Sequence, residues 1–202
     1  DKTKLDGIIE ADETFFPISY KGNHKKSKFV MPREPRKRGK SVRVRGLSNE
    51  QVCVPCAVSR NGKAFGKIAN LGRVSSIDLD KVYDNKIDSD ATLCTDKMNS
   101  YVRFANRNDF KLVQLKSGKS KKGIYNIQRI NSYHSELKGF LRPFKGVSTK
   151  YLNNYLVWNN LIKMNKQSLQ DKVQFVLKSS ISIVAQVKSK ELSNRPAIPL
   201  VA

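Results

Sequence analysis

Asp12, in GIIEADETFF, and Asp96, in ATLCTDKMNSY, each sit on a short apolar, strand-like run, and a third segment, NIQRINSYHSELKGF, carries Asn131 and Lys138. Oxygen donors brought from separate elements to one point are how a magnesium site for phosphoryl transfer is assembled. Asn131 follows Asp96 by 35 residues and Lys138 follows Asn131 by seven. At about 100° per residue, seven steps return to within about 20° of the start, so these two share one helix face. An oxygen ligand and a phosphate-binding cation then look into the same cleft. The carbonyl oxygen of Asn131 can coordinate magnesium but brings no charge and cannot act as a base. Glu136, the obvious substitute, stands about 140° round the helix, on a face that cannot share the cleft. His134 lies near the Asn131 face, where it either touches phosphate or water or serves as an ordinary structural histidine.

The elements that must hold these groups are legible as a series. Over residues 7–19, Ile8, Glu10, Asp12 and Thr14 alternate with Ile9, Ala11, Glu13 and Phe15, which predicts a strand ended by Pro17, with Asp12 and Glu13 on opposite faces. Gln51–Ser59 and Lys63–Ala69 read as two further strands joined by the hairpin signal Asn61-Gly62. A short helix over Ile77–Tyr83, with Ser75 and Ser76 as caps, leads to a strand at Ala91–Thr95. A helix over Met98–Asn106 and a strand over Phe110–Leu115 follow. Helix formers dominate Asn126–Phe140, Pro143 and Gly146 break the chain, and Ser148-Thr149 are expected to cap a second helix through Asn165. On it Tyr151, Leu152, Tyr155, Leu156, Asn159 and Ile162 form a packing face, and Trp158 is expected in the core. The order βββ-α-β-α-β and then helices predicts an α/β fold, a mixed five-stranded sheet flanked by helices. Residues 1–165 are expected to form one domain and 166–202 a partly helical tail.

In ADETFF, in the basic stretch PREPRKRGK leading to RGLSNEQVCV, in CTDKMNSY, and in INSYHSELKGFLRPFKGVSTKYLNNYLVWNNL, the chain resembles the bacterial insertion-sequence transposases with an RNase-H-like catalytic domain. Their site is two aspartates plus a glutamate or asparagine. The resemblance runs from about Gly7 to Met164. It implies an RNase-H-like fold in which Asp12, Asp96 and Asn131 hold two Mg²⁺ or Mn²⁺ ions, Asp12 bridging them, and Lys138 completes the catalytic set; some members carry asparagine followed seven residues later by lysine. The implied reaction is hydrolysis of a strand at each transposon end and attack of the freed 3′-hydroxyl on target DNA, with a homo-oligomer on the DNA. A nuclease that cuts without joining and a decayed, non-catalytic nucleic-acid-binding protein are the alternatives. Relatives usually carry a zinc ribbon and a helix-turn-helix ahead of this domain; neither precedes Asp12 here, and the chain, starting DKTKL, is expected to be a fragment.

Composition agrees with a polyanionic partner. The 202 residues carry 39 Lys and Arg against 17 Asp and Glu, a net charge of +22, far beyond what solubility asks for, and DNA is the expected partner. Between Lys21 and Arg45 lie eleven basic residues and one acid, broken by Pro and Gly. This basic loop (20–46) is expected to track a DNA backbone through Lys25, Lys26, Lys28, Arg33, Arg36, Lys37, Arg38 and Lys40, with Phe29, Val30 and Met31 as an apolar anchor. Lys119, Lys121 and Lys122 belong to a second expected basic loop beside the site. No run approaches the length of a membrane span, and three cysteines suit a reducing compartment, so a cytoplasmic, nucleoid-associated protein is expected. Cys53 and Cys56 form a C-x-x-C on a strand, where residues three apart face opposite ways; they and Cys94 are expected to be small buried thiols.

Overall fold

The structure, a computed structural model, describes residues 4–22, 29–32, 48–116, 121–164, 168–181 and 188–201. The alternating run becomes strand β1, Ile8–Pro17. β2, Gln51–Ser59, pairs with it antiparallel, with Asp12 opposite Cys56. The Asn61-Gly62 turn, with Gly62 at φ +92°, returns the chain as β3, Ala64–Gly66. Helix α1, Ser76–Tyr83, begins with a capping box between Ser75 and Asp78 and carries the chain over the sheet. β4, Thr92–Thr95, and β5, Lys111–Gln114, then enter parallel to β1, with α2, Asn99–Arg107, between them. The strand order is β3-β2-β1-β4-β5. This is the mixed five-stranded, helix-flanked sheet expected from the element order, an RNase-H-like arrangement.

Two cores follow from the two faces of the sheet. Ile9, Ala11, Cys53 and Ala57 pack with Leu79 and Val82 of α1 and with Tyr101 and Phe104 of α2. On the other face Val52, Val54, Cys56 and Val58 meet Ile130, Tyr133 and Leu137 of α3, Gln128–Leu141, and Leu152 and Leu156 of α4, Leu152–Met164. Cys53 and Cys56 thus lie in different cores, both as free buried thiols like Cys94. Burial raises all three above the ordinary thiol range, Cys94 to about 11. Tyr133 of α3 donates its hydroxyl hydrogen to Asn160 Oδ1 of α4 at 2.7 Å, both residues being buried. Tyr133→Phe strands that oxygen without water, and a loss of about 1–3 kcal/mol in urea unfolding, with unchanged m, is expected.

Several local expectations need correction. β3 stops at Gly66 instead of running to Ala69, because Pro55 of β2 has no N–H to give; Lys67 reaches the Pro55 carbonyl only at 3.4 Å, and pairing resumes at Ala69, whose N–H meets Cys53 O. Lys121-Lys122 form not a loop but a strand, β6, paired with β7, Tyr125–Asn126. Gly123, at φ +59°, takes the first of two turn positions. Ser148 makes no side-chain cap; a 3₁₀ turn over Thr149–Tyr151 precedes α4, and Thr149 is tied to Ser19 by a reciprocal pair, accepting Ser19 N–H on Oγ1 and donating its own N–H to Ser19 O. Ile162 and Trp158 are half-exposed; Trp158 stays on the rim of a ring cluster with Phe140, Phe144 and Tyr155. Val30, expected as an anchor, is 84% exposed, and only Phe29 packs, against Tyr20.

Beyond α4 lie α5, Leu169–Ile181, and α6, Ser189–Asn194. Leu169, Val173, Val176, Leu177 and Ile181 recur at helical spacing on α5 and are exposed. Among the described residues no helix is long and apolar enough to cross a membrane.

Candidate active site

The strand register brings the two aspartates together. β1 and β4 pair in parallel up to Glu10 opposite Cys94. Two residues further along the chain come Asp12, still within β1, and Asp96, just past the end of β4, where the charge of Asp96 acts on Asp12. β4 has ended by then, at Thr95, so Asp96 stands at a strand's carboxyl end beside an unbroken β1. Asp96 is exposed. Its Oδ1 accepts the Met98 N–H at 3.1 Å, and its backbone carbonyl accepts from Thr95 Oγ1 and Gln114 Nε2, which fixes the turn into α2.

The third element is α3, seated on the face of β1 that carries Glu10 and Asp12. Ile127 at its start supplies no side-chain cap, and Glu10 does so instead: its Oε2 accepts the N–H groups of Arg129 at 2.8 Å and Ile130 at 3.2 Å. From that anchor α3 and β1 run in step. Two residues along β1 advance about 6.6 Å and four along α3 about 6 Å, so Asp12 arrives beside His134. The His134 Nδ1 lies 3.8 Å from Asp12 Oδ2. One turn further Lys138 is exposed, and its charge acts on both Asp12 and His134.

The electrostatics are those of crowded carboxylates. Burial pushes the Asp12 carboxyl up to about 6; Asp96 adds to the shift, and the Glu13 backbone N–H and Lys138 oppose it. Burial, and then Lys138, lower His134 to about 4. Near neutrality an uncharged imidazole therefore faces the Asp12 carboxyl. On the opposite face of β1 burial, aided by Asp12, pushes Glu13 up to about 8, so it is a neutral acid at pH 7, beside Tyr101.

Of the sequence-derived residues, Asp12, Asp96 and Lys138 come together. Asn131 is exposed, one turn before His134 on the same helix face, and its side chain bonds no other described residue. Asn131 and Lys138 are separated by about 10 Å along one face of the helix. Glu136 is turned away, bonded to Lys163 of α4 and Ser132, which hold its carboxyl below the usual range. His134 is in contact with Asp12, and Glu10, which the sequence placed on the Asp12 face without a role, positions α3. Lys121 and Lys122 are exposed on β6. The other expected DNA-binding positions, Lys25, Lys26, Lys28, Arg33, Arg36, Lys37, Arg38, Lys40 and Lys119, lie outside the described residues.

A divalent cation fits this donor set. The Asp96 charge raises the proton affinity of Asp12, and a cation beside the Asp12 carboxylate relieves that repulsion. Among the described residues no group of three His, Cys, Asp or Glu side chains is placed to hold a metal; the Asn131 amide oxygen is a donor of another type.

The mixed sheet, with Asp12 within β1 and Asp96 just past the end of the neighbouring β4, sets the class of fold. The sequence profile of the ISXO2-like transposase domain matches residues 4–157, and the chain belongs to that family. No curated protein matches the chain. Among solved structures, one similar chain comes from the cryo-electron microscopy structure of the simian T-cell lymphotropic virus intasome in complex with the PP2A regulatory subunit B56 gamma. Identity is 11% and the TM-score 0.41, over 98% of this chain and 58% of that one, so this chain spans less than two thirds of its length.

Proposed function

We propose that this chain is the catalytic part of an insertion-sequence transposase, cutting a DNA strand at each element end and joining the freed 3′-hydroxyl to target DNA. The observation that carries the reading is the approach of Asp96, just past the end of β4, to Asp12 on the neighbouring parallel strand β1, with the charge of Lys138 acting on Asp12. Residues 1–165 are taken as the catalytic domain and 166–202 as a tail. The protein is assigned to the bacterial cytoplasm, on the nucleoid, and works as a homo-oligomer because two ends must be handled together.

In this reading Asp12, Asp96 and the Asn131 amide oxygen would hold Mg²⁺ or Mn²⁺, two ions in the resembled family. Such ions neutralise charge on the transferring phosphate and make the attacking and leaving oxygens competent at neutral pH. Lys138 binds a phosphate oxygen of the strand. His134, uncharged near pH 7, offers a ring N–H to water or phosphate. The basic loop and the β6–β7 hairpin, through Lys121 and Lys122, contact the DNA backbone.

The test is nicking and joining of supercoiled plasmid by the full chain in Mg²⁺ or Mn²⁺, beside Asp96→Ala. Metal-dependent nicking lost in the variant, with DNA binding intact or slightly tighter, is expected. Joined products separate a transposase from a nuclease that only cuts. Cleavage retained by Asp96→Ala would end the site assignment, and binding with no metal-dependent product would favour a non-catalytic DNA-binding protein.

A further inference from the structure

A cavity of about 480 Å³ opens between the start of α1 and the start of α2, and its wall begins one residue after Asp96. Arg73, Lys97 and Arg103 line it. All three are exposed, and none pairs with a carboxylate among the described residues. The acids of this corner are committed elsewhere: Asp78 accepts from Ser75 and Asn70, and Asp80 accepts from Arg107 and Asn108. Three like charges around one concavity repel each other, and an anion between them removes that cost.

Two further features point to the kind of anion. The rim is apolar: Ile77 is 58% exposed there, with Met98 beside it. A small inorganic ion uses only the cations, whereas a nucleotide strand offers phosphates to the arginines and a sugar or base edge to Ile77. α2, uncapped by any side chain and without an acid in its first turn, adds the positive end of its dipole. Arg103 lies one turn, about 6 Å, beyond Asn99 on one helix face, so the cations lead outward from Asp96.

We propose that the Arg73–Lys97–Arg103 cavity is a phosphodiester-binding site, holding the DNA strand on one side of the phosphate presented to Asp12 and Asp96. The identity of the strand rests on the proposed DNA chemistry; the binding itself does not. The strand is either the one being cut or the one being attacked, since both expose the same backbone.

The experiment measures binding of a fluorescent DNA duplex to the full chain by anisotropy across a salt series, without divalent metal. Arg73→Ala/Arg103→Ala is compared with Lys81→Ala/Lys111→Ala, which removes the same charge from exposed positions outside the cavity. The cavity variant is expected to bind about tenfold more weakly and to lose nearly two units of the log–log salt slope, as two phosphate contacts require. The control is expected to stay within about twofold. Equal weakening in both variants, or none in the cavity variant, overturns the proposal. Because no cleavage is read, this result stands or falls separately from Asp96→Ala. In the plasmid assay, loss of nicking together with joining assigns the cavity to the cut strand; loss of joining with nicking kept assigns it to the attacked strand.

Discussion

Asp12→Asn is expected to abolish metal-dependent cleavage, by roughly a thousandfold or more, while making the fold more stable. The activity loss follows from the proposed role, since an amide in place of the central carboxylate removes charge where cations must be held, and such stabilisation amounts to several kcal/mol. The stability gain follows from burial. The Asp12 carboxyl is pushed up to about 6 from an unfolded value of 3.8. Below pH 3.8 both states are protonated and nothing is lost. Between there and about pH 6 the folded chain holds the extra proton, so its stability falls as pH rises; above that the penalty is constant. Two pKa units correspond to about 3 kcal/mol, and solvent reaching a quarter of the side chain trims this to ~1–3 kcal/mol. The amide of the variant carries no such penalty. The melting temperature of Asp12→Asn should therefore exceed that of the parent at about pH 7.5 and match it near pH 4. A variant that melts lower than the parent above neutrality would refute the view that this carboxylate is held against its own preference.

The same burial separates what could be read in the sequence from what could not. Alternation along Ile8–Pro17 is enough to put Asp12 and Glu13 on opposite faces, because a strand has only two. Likewise the seven-residue step from Asn131 to Lys138 gives a shared helix face whatever the helix packs against. The approach of Asp96 to Asp12 is another matter. It depends on the Glu10–Cys94 pairing, which joins residues 84 apart and leaves no local trace. His134 is ambiguous in the sequence for a similar reason: only the seating of α3 on β1 decides whether a histidine meets a carboxylate or solvent. The short β3 reflects one missing donor at Pro55, visible in the sequence once its neighbour strand is known. The cavity beside Asp96 leaves no mark in the sequence because Arg73 and Arg103 are thirty residues apart, and unpaired cations show no pattern until two helix starts bring them together.

Glu10→Ala is expected to cost about 2–4 kcal/mol in stability and at least about tenfold in cleavage, with Glu10→Gln keeping most of both. Glu10 is buried, and its Oε2 is the acceptor for two N–H groups at the start of α3. Alanine leaves both donors without that partner, at ~1–3 kcal/mol for the buried Ile130 N–H and less for the partly buried Arg129 N–H. Desolvation raises the Glu10 carboxyl above its ordinary value despite those two bonds, so burying the charge is itself unfavourable. Glutamine presents the same acceptor without the charge; it gives up the attraction to the helix dipole, worth up to ~1 kcal/mol, and is relieved of the desolvation cost. The effect on cleavage comes through position, because Asn131 follows Ile130 directly and His134 and Lys138 lie on the turns above. A shift of α3 by a fraction of a turn moves all three relative to Asp12 while leaving the aspartates in the sheet. Urea unfolding and plasmid nicking, measured on both variants, separate the causes. If glutamine falls as far as alanine, the negative charge of Glu10 is what matters; if alanine is harmless, α3 is held by its apolar contacts with β2 and α4 alone, and the geometry of the cleft does not depend on this cap.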